Sequence, residues 1–113
     1  MLDLSQHHLL GKVAQRFRAL GDENRLRLLI LLQSGEKNVA SLTEPLDLRQ
    51  ASVSKHLAVL KQAGLVTSRR EGTQVFYRVA DQSVYQMCEL VCDGILKDFK
   101  SETQAMGLVG EIE

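Results

Sequence analysis

Four polar side chains, Gln50, Ser52, Lys55 and Gln62, fall on the side of a short helical stretch opposite Val53, Leu57 and Leu60, with Ser54 and His56 flanking them. Amides and hydroxyls are the groups that bond base edges, and cations are the groups that hold phosphates. Gln50 suits a base best, because an amide can bond an adenine edge bidentately. Ser52 has a second option, a bond within its own helix. His56 lies next to core-facing Leu57, so a phosphate contact and a structural hydrogen bond are both open to it. A second set of reactive groups is Cys88 and Cys92, one helical turn apart near the end of the chain.

These groups need elements to hold them. Val53, Leu57 and Leu60 repeat at helical spacing and Ala63 continues the row, which predicts a helix over Ala51–Ala63, stopped by Gly64. A shorter helix is expected somewhere in Val39–Leu46. Pro45 is costly in a helix interior, so a start at Ser41, with Glu44 closing a capping box, relieves the strain. Two helices joined by a tight break have the organisation of a helix-turn-helix, whose second helix reads DNA. Strands over Leu65–Arg70 and Val75–Ala80 follow, joined through Glu71-Gly72-Thr73-Gln74, with Val75, Tyr77 and Val79 toward the core. Arg69, Arg70 and Arg78 are left near solvent.

Upstream, a helix is expected from about Ser5, its N-cap, to Leu20, with Leu9, Leu10, Val13, Ala14 and Phe17 on one face. A second helix is capped by Asp22, carries Leu26, Leu29, Ile30 and Leu32, and ends at Ser34-Gly35. A last helix over about Gln82–Phe99 has an apolar stripe of Val84, Met87, Cys88, Val91, Cys92, Ile95 and Phe99. The fold class is therefore mainly α with a small β-hairpin, in the order α-α-α-α-β-β-α. Neither terminal helix is needed to complete the central core, so their apolar faces imply a two-fold homodimer.

The chain has 113 residues, enough for one small domain over 1–113 but not for two independent cores. Its formal charge is zero, but the charge is segregated. Residues 49–80 hold Arg49, Lys55, Lys61, Arg69, Arg70 and Arg78 against Glu71, a net of +5. Residues 81–113 hold Lys97 and Lys100 against seven carboxylates, a net of −5. Binding to phosphates depends on local potential, so the basic segment supports a DNA-facing surface. No apolar run is long enough to span a bilayer, and MLDLSQHHLL lacks the basic start and cleavage site of a signal peptide. Two cysteines without an export signal suggest thiols in the cytoplasm.

FRALGDENRLRLLILL, VASLTEPLDLRQASVSKHLAVLKQAGLV and RREGTQVFYRV together resemble the ArsR/SmtB family of winged-helix bacterial repressors, from Phe17 to Asp81 without a gap. The resemblance implies a winged helix-turn-helix homodimer on double-stranded, palindromic operator DNA, with its reading helices in successive major grooves. It places Gln50, Ser52, Ser54 and His56 at the polar positions that meet DNA, with Lys55, Arg69 and Arg70 on phosphates. Arg49 replaces the usual capping hydroxyl at the start of the reading helix. That substitution loses a cap and either adds a phosphate contact or leaves a solvated cation.

The family's known sensing sites are not intact. The third helix has no Cys-x-Cys pair. Of the zinc pattern on the last helix only Asp81 is kept, with Ser83, Gly94 and Lys97 in the other positions, and one carboxylate cannot build a tetrahedral site. Ile30 occupies the position of the sulfur-sensing cysteine on the second helix. No metal and no cofactor is expected. Cys88 and Cys92 remain, with Cβ atoms roughly 5–6 Å apart on an ideal helix, beyond the roughly 3.5–4.5 Å that a disulfide needs. A bridge between subunits, or a soft metal or metalloid held across the dimer axis, is geometrically easier. Oxidation of one thiol is a further route, and plain core packing is the bland alternative. His7 and His8 are better explained as exposed residues at a helix start than as extra ligands.

A regulator released by a thiol-reactive inducer is therefore expected. The alternatives are a ligand-independent repressor with structural cysteines, and a winged-helix protein-interaction module. An enzyme is not expected, because no His or acid is placed by sequence to activate either cysteine.

Overall fold

The computed structural model of the protein describes residues 2–105, so Glu111 and Glu113 of the acidic tail lie outside the described residues. The chain falls into two compact units, one ending at Asp81 and one beginning at Gln82.

In the first unit, α1 spans His7–Leu20, α2 Glu23–Leu32, β1 Lys37–Asn38, α3 Val39–Leu46, α4 Gln50–Gln62, β2 Val66–Glu71 and β3 Gln74–Val79. Its core comprises Ala19, Leu28, Leu29, Leu32, Leu42, Leu46, Val53, Leu57, Leu60, Ala63, Leu65, Val66 and Val79. Each buried Leu or Val contributes about 1.5–3 kcal/mol relative to exposure, so α4 is anchored by its Val53, Leu57 and Leu60 row. Ile30 does not join this core: it is 63% exposed, and Leu28 takes the inward position. On α1, Leu9 and Phe17 are likewise exposed, and only Ala19 is buried.

The caps follow local hydrogen bonding, with two departures from expectation. Asp22 caps α2 as its sequence indicates, Oδ1 accepting the N–H groups of Asn24 at 2.9 Å and Arg25 at 3.1 Å. Ser5 does not cap α1. Asp3 takes both its N–H and its hydroxyl, and Gln6 stands at the N-cap without a side-chain bond. Nor does α3 start at Ser41. Asn38 caps it by accepting the Ser41 N–H at 2.9 Å, which adds a turn upstream and leaves Pro45 near the helix end. Pro45 there removes one helical bond, and Asp47 then leaves the helix with φ of 52°.

The hairpin is tighter than its turn residues indicate, each strand being shifted by one residue toward the loop. Glu71 pairs directly with Gln74, so the loop is Gly72-Thr73 alone, with Gly72 at φ of 61°. Such a loop favours Gly at its first position. The short strand β1 pairs antiparallel with β3, giving the sheet order β1-β3-β2. Gly64, at φ of 79°, turns the chain from α4 into β2.

The second unit is dominated by α5, Ser83–Ala105, which runs past the expected end at Phe99. Along its apolar stripe Val84 is buried and Met87 and Cys88 are half-buried, whereas Val91, Ile95 and Phe99 are exposed, as are the neighbouring Leu90 and Leu96. No helix among the described residues is long and apolar enough to cross a membrane.

Candidate nucleic-acid interface

Helices α3 and α4 are joined by Asp47-Leu48-Arg49, and α4 presents its outer face because Val53, Leu57 and Leu60 are fully inward. Gln50, Ser54, Lys55 and Gln62 are exposed on that face. The 100° advance per residue separates two rows: Gln50 with Ser54 on the open side, and Ser52 with His56 half-buried at the flank. Ser54 therefore takes the open position expected of Ser52. Arg49 is exposed at the N-cap and makes no side-chain cap bond.

His56 is tied to α2. Its Nδ1 lies 3.3 Å from Arg25 Nη1 and 4.0 Å from Asp22 Oδ1. A guanidinium only donates, so Nδ1 accepts and the imidazole N–H is left at Nε2. Arg25 is itself fixed by bonds from Nε to the Ala19 carbonyl and from Nη2 to the Arg18 carbonyl. Sequence reasoning missed Arg25, because its side-chain partners lie on two other helices, α1 and α4.

The sheet sorts the wing residues by face. Residues paired across β2 and β3 share a face, which puts Val66 with Val79, Ser68 with Tyr77, and Arg70 with Val75. This is the face turned to α4: Val66 and Val79 are buried, and Lys61 Nζ donates to Ser68 Oγ at 2.6 Å. Val75 and Tyr77 also line a cleft of about 260 Å³ with Gln50, Ser54, Asn38, Val39, Ala40, Thr73 and Gln74. Arg70 is exposed there and makes no ion pair among the described residues.

The opposite face carries Thr67, Arg69 and Glu71 of β2 beside Arg78, Phe76 and Gln74 of β3. Arg69 does not reach freely into solvent. Its Nε and Nη2 fork onto Glu36 at 2.7–3.0 Å, its Nη1 donates to Glu71 at 2.6 Å, and its guanidinium lies 4.7 Å from the Phe76 ring centre. The Arg69 bond holds the Glu36 carboxyl below its usual range, and both carboxylates push the guanidinium pKa further up.

On α5 the two thiols differ. Cys88 is half-buried and burial pushes its pKa up, while Cys92 is exposed; both are free. Among the described residues no three His, Cys, Asp or Glu side chains converge on a metal position. Asp81 accepts from Arg16 Nη1 at 3.0 Å, while Arg16 Nε donates to the Ala63 carbonyl at 3.1 Å. Ser83, Gly94 and Lys97 are exposed on α5, and His7 and His8 are exposed at the start of α1.

A reading helix presented by a preceding helix and flanked by a hairpin wing defines a winged helix-turn-helix DNA-binding protein. Residues 22–68 match the bacterial regulatory protein, arsR family, profile. An uncharacterized HTH-type transcriptional regulator of Methanocaldococcus jannaschii is 41% identical over 81 residues, covering 71% of this chain and 91% of the relative. The arsenical resistance operon repressor of Bacillus subtilis is 36% identical, covering 80% of this chain and 90% of that one. A solution structure of a homodimeric winged helix-turn-helix DNA-binding domain from Mycobacterium bovis superposes with a TM-score of 0.72 at 34% identity, covering 84% of this chain and 88% of that one. The chain belongs to the ArsR family of transcriptional regulators, and its relatives are regulators, not enzymes.

Proposed function

We propose that the protein is a cytoplasmic, homodimeric repressor that binds a palindromic operator and is released by a thiol-reactive inducer at α5. The observation that carries the DNA-binding part is the exposure of Gln50, Ser54 and Lys55 on α4, together with that of Arg70 on the sheet face turned toward that helix. Gln50 reads a base edge. Ser52 and Ser54 supply short hydrogen bonds, the His56 Nε2–H serves a phosphate or base acceptor, and Arg49, Lys55 and Arg70 hold phosphates. A second copy covers the exposed Leu9 and Phe17 of α1 and the exposed Leu90, Val91, Ile95, Leu96 and Phe99 of α5. Homodimeric assembly of the M. bovis domain supports this. Two heads on two half-sites then make affinity sensitive to dimer geometry.

The exposed Cys92, one turn from Cys88, is the entry point for the inducer, an oxidant, reactive sulfur or a soft metal or metalloid. A second reading, with purely structural cysteines, is favoured by the half-burial of Cys88 and its raised pKa, since the thiolate is the reactive form. Operator binding by reduced protein, repeated after peroxide, polysulfide and arsenite beside a Cys88→Ser/Cys92→Ser double variant, separates the two. Release of the wild type alone supports sensing, and binding unchanged by every agent rejects it.

A further inference from the structure

Arg69 and Arg70 are neighbours in sequence with identical chemistry, yet the period of two along β2 sends them to opposite sheet faces. Arg69 pairs with Phe76, and Phe76 pairs with Asn38, so one row crosses all three strands on the face away from α4. Glu36 stands two residues before Asn38, on the same side of the chain by alternation. The Arg69 side chain lies over Phe76 and forks onto Glu36, spanning β3 from β2 to the segment that enters β1. Glu71 takes the remaining arm.

Isolated surface ion pairs contribute little, but a bidentate fork joined to a second carboxylate and an aromatic face is the geometry in which they do contribute. Both carboxylates also neutralise the cation locally. A phosphate would have to displace two oxyanions already bonded to it.

We infer that Glu36, Arg69, Glu71 and Phe76 form a clamp that sets the pose of the wing. Arg69 is thereby a positioning residue, and Arg70 is the wing's phosphate contact. This rests on the DNA-binding reading above and names which wing residue serves it. The clamp joins the wing to the residues immediately before the Asn38 cap of α3, so it aligns the wing with the helix-turn-helix through the backbone.

The test compares Arg69→Lys, Arg69→Ala, Glu36→Gln and Arg70→Ala by titration of a mixed-sequence duplex of about three helical turns across a salt series. It also measures amide exchange of the wing in the free protein. Lysine keeps the charge but cannot form the fork. The clamp predicts that Arg69→Lys, Arg69→Ala and Glu36→Gln all weaken binding by about three- to tenfold without changing its salt slope. It also predicts faster exchange near Gly72–Val75 in all three, and Arg69→Ala/Glu36→Gln no weaker than Arg69→Ala alone. Only Arg70→Ala should flatten the slope.

The inference is overturned if Arg69→Lys binds as the wild type does, if Arg69→Ala flattens the slope, or if Glu36→Gln tightens binding. Absence of any binding by the wild type would refute the DNA reading, while the exchange arm would still decide whether the clamp holds the wing.

Discussion

Salt dependence offers a quantitative test, because the structure limits which cations are free to meet phosphates. Of the six in residues 49–80, Arg69 is held by Glu36 and Glu71, and Lys61 bonds Ser68. Arg78 lies on the outer sheet face, in the field of Glu36. Arg49, Lys55 and Arg70 are exposed and make no ion pair among the described residues. Three cations per protomer give about six phosphates per dimer and a slope of log affinity against log salt near −5. Between 50 and 200 mM salt, affinity should then fall by roughly 10³-fold. Replacing Arg70 by Ala removes about two phosphates per dimer, brings the slope to about −3.6, and reduces that fall to roughly 10²-fold. Fluorescence anisotropy of a labelled operator duplex over a potassium chloride series measures both. A wild-type slope shallower than about −2, or one unchanged by Arg70→Ala, would refute this assignment of cations.

Asp22→Ala should cost about 1 kcal/mol of stability through the lost cap on α2. The Arg25 N–H is the first cause holding the folded-state Asp22 pKa below its ordinary value of 3.8. The contribution is therefore complete above that value and is lost as pH falls through the lowered one. Urea unfolding at pH 7 and near pH 3 should show the gap between wild type and variant shrinking in acid, and a constant gap would contradict it. Gly64→Ala should destabilise by about 1 kcal/mol or more, since it combines φ of 79° with a Cβ that would sit 3.2 Å from Arg16 Nη2; an unchanged melting temperature would show the turn to be unstrained. Under native alkylation read by mass spectrometry, Cys92 should be modified before Cys88, because Cys88 is half-buried with a raised pKa. Equal rates would contradict the difference in access.

The helices and the outward polar face of α4 were legible because apolar periodicity is a local signal. Val53, Leu57 and Leu60 identify α4 to within one residue at each end, and Asp22 announces α2. One element and one helix start were not legible for physical reasons. A two-residue strand, Lys37–Asn38, is too short to show alternation, and the capping Asn38 competes with Ser41 as a helix start. Opposite orientation of Arg69 and Arg70 was implicit in the strand period, but which face meets α4 depends on tertiary contacts. The partner of Arg69 is 33 residues away, and no spacing rule connects Glu36 to it. Ile30 misleads in the same way, since an apolar residue within a run of leucines reads as core when the helix turns it outward.

In the proposed dimer, two copies of α4 read related half-sites. Genomic fragments retained by the purified protein, sequenced and compared with those retained by Gln50→Ala, test it most directly. An enriched two-fold-related motif with half-sites about one helical turn apart is expected, with loss of preference at one position per half-site in the variant. Retention without a shared motif, or a motif with no two-fold repeat, would contradict it.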